Sequence, residues 1–456
     1  MKENQKFEIL IYKLYVFTLP LGQFLNIWMA EVMKRLFVQF STIIMVVGVI
    51  VMLLNGRFRI NNRTAPFFNL FFFMLVWSFL CSLVLIPFVP TNVMHPMVRL
   101  LTENYYFFIA VLSFIYNYHC LTHLVKFQSL YKIFDIQVVV IIITGFIQLA
   151  ALSGFSGPYN ALCTVFRLRE LEWLMIVDRG VTLWADEPSG VSQLCFVLVP
   201  FIMTSLSHSK GIRKFFYFSS LLIFLLFFLL TLSSQTILIF VAVVLIYLFY
   251  IIQKRIPNNF YIISFITGFL SVSIYLVEDV KSVEVSGDSK TLEYAVVAKI
   301  FDRNNESTVI RVSTIINDLK LMAQFPLTGV GNGNQGYFYY DNVPYWVKKT
   351  NAYNEREAEH SIANGGGNFF PSYFSGFGLI GVVFLIIFLK KYRKCYQTSF
   401  LQEDERADVM FKLGTILFVF ASWTVVDLRE TIIFVFSLAC VPLVKNTYKE
   451  IKNQVA

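Results

Sequence analysis

The chain has 456 residues, of which 57% are hydrophobic, only 15% are charged and 49 are Phe. A soluble domain carries roughly 45–50% apolar and about 25% charged residues, so a water-soluble fold of this length would expose more apolar surface than it could hide, and a cytosolic enzyme is excluded. The net charge of +9 invites a nucleic-acid reading only until the basic residues are located, because their distribution follows topology.

In chain order, stretches of about 17–25 mainly apolar residues fall near 10–28, 37–55, 66–89, 105–121, 133–152, 190–206, 215–232, 235–252, 260–277, 369–389, 408–426 and 430–445. Twelve spans predict an all-α polytopic membrane protein, with residues 1–456 forming a single integral membrane domain. The first span is interrupted by Pro20 and Gly22 and has no small-residue cleavage site, which reads as a retained segment and not a signal peptide. An even number of spans puts both termini on one side. Twenty Lys and Arg fall in the short segments on that side, against Lys34, Arg35, Arg99 and Arg429 on the other. The positive-inside rule then makes both termini cytoplasmic and explains the basic charge without nucleic acid. The six cysteines have no CxxC spacing, so neither a disulfide framework nor a zinc site is indicated, and no other metal or cofactor motif is present.

Two long connections, about 153–189 and about 278–368, face outward in this topology. Loops longer than roughly 12–15 residues are usually functional or disordered, and these are too aromatic for disorder, so the chemistry is expected there. The first ends with Arg179 to Gly190 and runs into the sixth span. Pro188 suits the first turn of a helix and Glu187 its positive end. Arg179 and Glu187 read either as an interfacial arginine beside a helix cap, or as a pair in which Arg179 holds an anion that Glu187 orients.

In the second loop, Val309, Val312, Ile315, Ile316, Leu319 and Met322 recur at helical spacing, which predicts an amphipathic helix lying on the membrane or on other spans. Arg311 near its start gains nothing from the helix dipole, which calls for a partner, either an acidic residue or a ligand phosphate. Pro326 then stops the helix, and Gly329, Gly331, Gly333 and Gly336 follow. The last three satisfy GxGxxG by letter, but no strand precedes them, so a dinucleotide site is a false positive. The glycines suit either a plain turn or a close backbone approach in which exposed N–H groups cup a diphosphate. The aromatic run from Tyr337 to Trp346 suits sugar rings, although Tyr and Trp collect at membrane interfaces regardless of function. Of five histidines, only His95 and His360 lie outward, and His360 is the better general base, with a solvated loop histidine as the plain alternative.

These residues form an ordered set: Arg179-Gly180, then Glu187-Pro188-Ser189 entering a span, then Arg311 on a helix leading to Pro326-Leu327-Thr328-Gly329-Val330-Gly331-Asn332-Gly333, then Phe377-Gly378-Leu379-Ile380-Gly381. In this order and spacing the chain resembles the O-antigen polymerase and O-antigen ligase superfamily, nearer to its Wzy-type polysaccharide polymerases. The resemblance implies a glycosyltransferase-C-like membrane fold in the bacterial inner membrane, with the long loops periplasmic or extracellular. It further implies a metal-independent, inverting transfer of glycan from an undecaprenyl-diphosphate-linked oligosaccharide, making O-antigen, capsule or exopolysaccharide. Arg179 and Arg311 would then bind the departing diphosphate, and a chain-length regulator is a candidate partner. The family's base is commonly a His followed by Asn. Counting back from Gly378, that Asn falls on Asn368, but Gly367 precedes it and the nearest histidine is His360, so Glu187, Asp178 and Glu359 stay open as alternatives. A ligase using the same donor is the close rival. A transporter of lipid-linked sugars is the distant one, since transporters place ionisable residues inside spans and few charges interrupt the apolar runs here.

Overall fold

The computed structural model describes residues 3–20, 40–90, 93–166, 168, 181–185, 188–273, 306–350, 353, 368–423 and 430–443. Fourteen principal helices organise them: α1 (Glu3–Thr18), α2 (Phe40–Leu54), α3 (Ala65–Leu85), α4 (Pro96–His123), α5 (Tyr131–Leu152), α6 (Gly157–Val165), α7 (Leu194–His208), α8 (Gly211–Leu230), α9 (Ser234–Gln253), α10 (Asn259–Ser273), α11 (Glu306–Gln324), α12 (Phe369–Gln397), α13 (Glu405–Ala421) and α14 (Glu430–Leu438). No strand occurs among the described residues.

The chain is an all-helical membrane protein. Each predicted span coincides wholly or in part with a helix, and seven helices among the described residues are long and apolar enough to cross a membrane. Two more apolar helices, α2 and α10, have 15 residues each. The others fall short for visible reasons: α1 carries Lys6, Glu8 and Lys13, and the first turns of α13 carry Glu405, Arg406, Asp408 and Lys412. Large apolar side chains on α3, α8, α9 and α10 face outward, as a lipid-exposed surface requires.

The helix starts follow local chemistry. His95 caps α4, its Nδ1 accepting from the Met97 amide at 3.3 Å, with Pro96 in the first turn. The outward histidine set aside in the sequence is thus a capping residue. Pro188 opens a 3₁₀ segment, Pro188–Gln193, that leads into α7, as its position predicted.

The core centres on α7, nearly every residue of which is buried, packed against α13, α8 and α14. Without a hydrophobic drive between helices in lipid, close packing and interhelical hydrogen bonds must hold such a bundle. Both occur. A Cβ on Gly414 of α13 would lie 2.5 Å from the Phe196 carbonyl of α7, so only glycine permits that approach. On α1 the Tyr12 hydroxyl donates to Asn117 Oδ1 (3.1 Å) and the Asn117 amide donates to the Tyr15 hydroxyl (3.2 Å), which locks α1 to α4.

Candidate active site

The elements that matter converge where α11 and the glycine segment meet α12. Helix α12 is broken: Gly378 has φ 54° and ψ −149°, a conformation outside the helical region. A break in a spanning helix strands N–H and C=O groups where water cannot reach them, a cost of several kcal/mol per group in hydrocarbon. The segment after α11 satisfies them. Val330 and Gly331 donate to the Ser375 and Gly376 carbonyls before the break (3.0 and 2.7 Å). Leu379 and Ile380 after it donate to the Pro326 and Leu327 carbonyls (2.8 and 3.2 Å). Residues 326–331 therefore act as a backbone plug in α12.

This corrects one expectation for Gly329, Gly331 and Gly333. All three have positive φ and are buried, and they allow a close backbone approach, but the approach is to protein. The amides from Gly329 to Asn334 are all donated internally: to Phe325 O, Ser375 O, Gly376 O, Ser78 Oγ, Gln335 Oε1 and Gly331 O in turn. No N–H in this stretch is left to cup a diphosphate. The second half of α12 likewise spends its first amides on the plug, so its N-terminus is not an open anion site.

Of the two expected settings for helix α11, the membrane or other spans, the structure shows it packed on another helix. Ile315, Leu319 and Met322 join Phe370, Tyr373, Phe374 and Phe377 of α12 in one apolar cluster, while Val309 packs with Tyr339, Val343 and Val347. Between those faces runs a polar stripe. Ser313 pairs with the Tyr339 hydroxyl (2.7 Å), and Asn317 donates to Gln335 O (3.0 Å) while accepting from Asn342 (3.0 Å). Asp318, fully buried, accepts from Ser372 (3.1 Å) and Ser375 (3.2 Å) of α12. Burial raises its carboxyl to about 7, against a smaller opposing effect of the two serine hydroxyls. With both oxygens taken and no surface exposed, Asp318 holds α11 to α12 and is closed to a substrate. Arg311 stands half-buried on the second turn of the same helix, where the Thr314 hydroxyl donates to its carbonyl oxygen (2.9 Å).

Helices α3 and α4 close the other side. Ser82 pairs with Asn334, and the Trp77 indole donates to the Thr328 carbonyl (2.8 Å). Arg99, almost fully buried, donates through Nε to the Gly333 carbonyl (2.5 Å) and lies 3.5 Å from Glu103. The aromatic run is split, with Tyr339 buried and Tyr345 73% exposed. The Tyr337 hydroxyl donates to Met94 O (2.6 Å), and Trp346 packs with Tyr340 on the Val309 cluster, so both serve as supports. Asn368 occupies the N-cap position of α12, buried, yet its side chain makes no capping bond.

Of the residues singled out in the sequence, the structure brings together Arg311, Gly329, Gly331, Gly333, Tyr337, Trp346 and Asn368 around α11, the plug and α12. Arg179, Glu187 and His360 lie outside the described residues, as do Asp178 and Glu359. Sequence reading missed Asp318, Asn332 and Arg99. A signal for the first existed: Asn317-Asp318 interrupts an apolar helix, and Ser372 and Ser375 share the three-residue spacing that puts two hydroxyls on one face. One more acid lay hidden at a span end. Glu430 of α14 is buried, accepts from Ser41 (2.6 Å), and has no partner for Oε1. Compared with known families, characterised proteins and solved structures, the chain matches none.

Proposed function

We propose that the protein is a polysaccharide polymerase that transfers glycan from an undecaprenyl-diphosphate-linked donor to a lipid-linked acceptor at the outer leaflet. One observation carries this reading. The sequence elements behind the family resemblance, the Arg311 helix, Pro326–Gly333 and Phe377–Gly381, lie far apart in the chain yet meet on α12: Leu379 and Ile380 donate to the plug, and the Arg311 helix packs on Phe377 and accepts through Asp318 from Ser372 and Ser375 just before it.

In the proposed transfer, the acceptor hydroxyl oxygen attacks the anomeric carbon, its proton passes to a base, and the bond to the diphosphate oxygen breaks with inversion. Undecaprenyl diphosphate leaves carrying the electron pair. Arg311, on a helix fixed at Asn317 and Asp318, and Arg179 would stabilise the charge that develops on the diphosphate, for which the guanidinium fork is suited. The base is His360 or one of Glu187, Asp178 and Glu359. Asp318 does not serve, for the reasons of burial and bonding given above.

The test is the polysaccharide banding of cells lacking the protein, complemented at matched membrane levels. Deletion should leave single repeat units attached, and Arg311→Ala should fail to restore chains, with a fall in transfer rate of about 10²–10³ as for loss of one transition-state donor. Normal chains from Arg311→Ala would end the diphosphate role. Loss of all attached repeats, with long lipid-linked chains accumulating, would instead make it the ligase. Glu430 favours a second reading, a transporter of lipid-linked sugars, because an ionisable group inside a bundle is a default functional candidate. Retained polymer synthesis with lipid-linked units trapped at the cytoplasmic leaflet would support it.

A further inference from the structure

We propose that Asn332 is a hydrogen-bonding contact to a neutral sugar ring of the lipid-linked glycan, so that the glycine segment reads glycan hydroxyls and not the diphosphate. The inference rests on the transfer reading above and names the ligand chemistry of one part of its site.

Asn332 stands out by what it lacks. The polar layer around it is fully used: Ser78, Ser82, Asn317, Asp318, Asn334, Gln335 and Asn342 each make the side-chain bonds described above or their like, such as Asn334 Nδ2 to Val330 O (2.8 Å), Gln335 Nε2 to Ser372 O (3.0 Å) and Gln324 to Asn342 (2.9 Å). Asn332 keeps its backbone amide on Ser78 Oγ (2.9 Å), but its Nδ2 has no partner among the described residues, although the residue is only 9% exposed. An unpaired buried amide costs about 1–3 kcal/mol, and such a group in a native structure calls for an explanation. Poor packing does not supply one. The flanking Gly331 and Gly333, at φ 84° and 90°, pin this residue in place: a Cβ on the first would meet Cys81 at 2.7 Å, and on the second Glu103 at 2.9 Å.

The surroundings select the ligand. A phosphate would need donors, and the local amides are all committed. Arg99 is committed too, to the Gly333 carbonyl and towards Glu103. The Glu103 carboxylate, partly exposed beside Gly333, would repel an anion. A carboxamide offers a donor and an acceptor side by side, which matches a pair of sugar hydroxyls, and a carboxylate adds a second acceptor for them.

The experiment titrates full-length protein in detergent with two probes: the free repeat-unit oligosaccharide, stripped of lipid and phosphate, and inorganic pyrophosphate. Asn332→Ala should weaken oligosaccharide binding about tenfold or more, as expected for one lost hydrogen bond with a desolvated partner, and leave pyrophosphate binding unchanged. Its melting temperature should not fall below the wild type's, since no side-chain bond is lost and an unpaired buried amide is removed. Asn332→Ser, which keeps a hydroxyl, should recover part of the affinity, and Arg311→Ala should show the reverse pattern across the probes. Unchanged oligosaccharide affinity in Asn332→Ala, or a loss confined to pyrophosphate, overturns the proposal and leaves the transfer reading intact. Wild-type protein that binds neither probe overturns both.

Discussion

Alanine at Gly329 or Gly378 should abolish accumulation of folded protein in the membrane. A Cβ on Gly329 would sit 2.3 Å from the Gly376 carbonyl carbon and 2.4 Å from the Phe377 nitrogen, and one on Gly378 would lie 2.7 Å from the Leu327 carbonyl. These obstacles are backbone atoms, which cannot swing aside as a side chain can. Both glycines also hold positive φ, 61° and 54°, which adds about 1–2 kcal/mol for any L side chain. Relieving the clash means withdrawing the plug from α12 and stranding the eight groups of its four bonds. At about 1–3 kcal/mol for each buried orphan, that is comparable to or larger than the roughly 5–15 kcal/mol by which native proteins are stable. Gly56 separates the two contributions. It too has positive φ, 64°, but a Cβ there meets nothing within 4 Å. Gly56→Ala should therefore lose only the conformational part and reach the membrane at near wild-type levels. Melting of detergent-solubilised variants on a size-exclusion column measures this, and a Gly329→Ala protein as stable as Gly56→Ala would refute the plug.

The sequence showed the membrane class through hydropathy alone, and each predicted span overlaps a helix at least in part, because a lipid-facing apolar run has few other ways to satisfy its backbone. The break in α12 was not legible. Phe377-Gly378-Leu379 reads as a small residue in an apolar span, and only the segment from Pro326, some fifty residues away in the chain, turns that glycine into a discontinuity. The glycine cluster was legible as a close approach but not for its target, since a turn that cradles phosphate and one that plugs a helix need the same φ values. Asp318 was hidden for another reason. Hydrophobic periodicity marks one face of a helix, and α11 is buried on more than one, so a carboxylate on its polar stripe reads as solvated when it is fully buried. For Arg311 the sequence showed the place, near the start of a helix, and called for an acidic or phosphate partner.

The remaining prediction concerns that acid. Asp318→Asn should make the protein more stable than wild type above neutral pH and leave it little changed near pH 4. Burial raises the Asp318 carboxyl from its ordinary 3.8 to about 7 in the folded chain. Between those values the folded state binds a proton that the unfolded state has released, so stability is full below the lower value and falls as pH rises through the upper one. Above about pH 7 the charged carboxylate sits in a dry site with only Ser372 and Ser375 to solvate it. Asparagine keeps the geometry: its oxygen accepts from one serine while its amide donates to the other. The gap in melting temperature between variant and wild type should thus open from about pH 4, reach on the order of 5 °C above neutrality, and then level off. Asp318→Ala, which leaves both hydroxyls without their acceptor and opens a void between α11 and α12, should be destabilised at every pH. A gap that stays flat with pH would mean that Asp318 is ionised throughout and held by a cation. In that case the clamp joining the Arg311 helix to α12 would be an ion pair whose strength falls with salt, where a buried acid bonded by two hydroxyls would be indifferent to it.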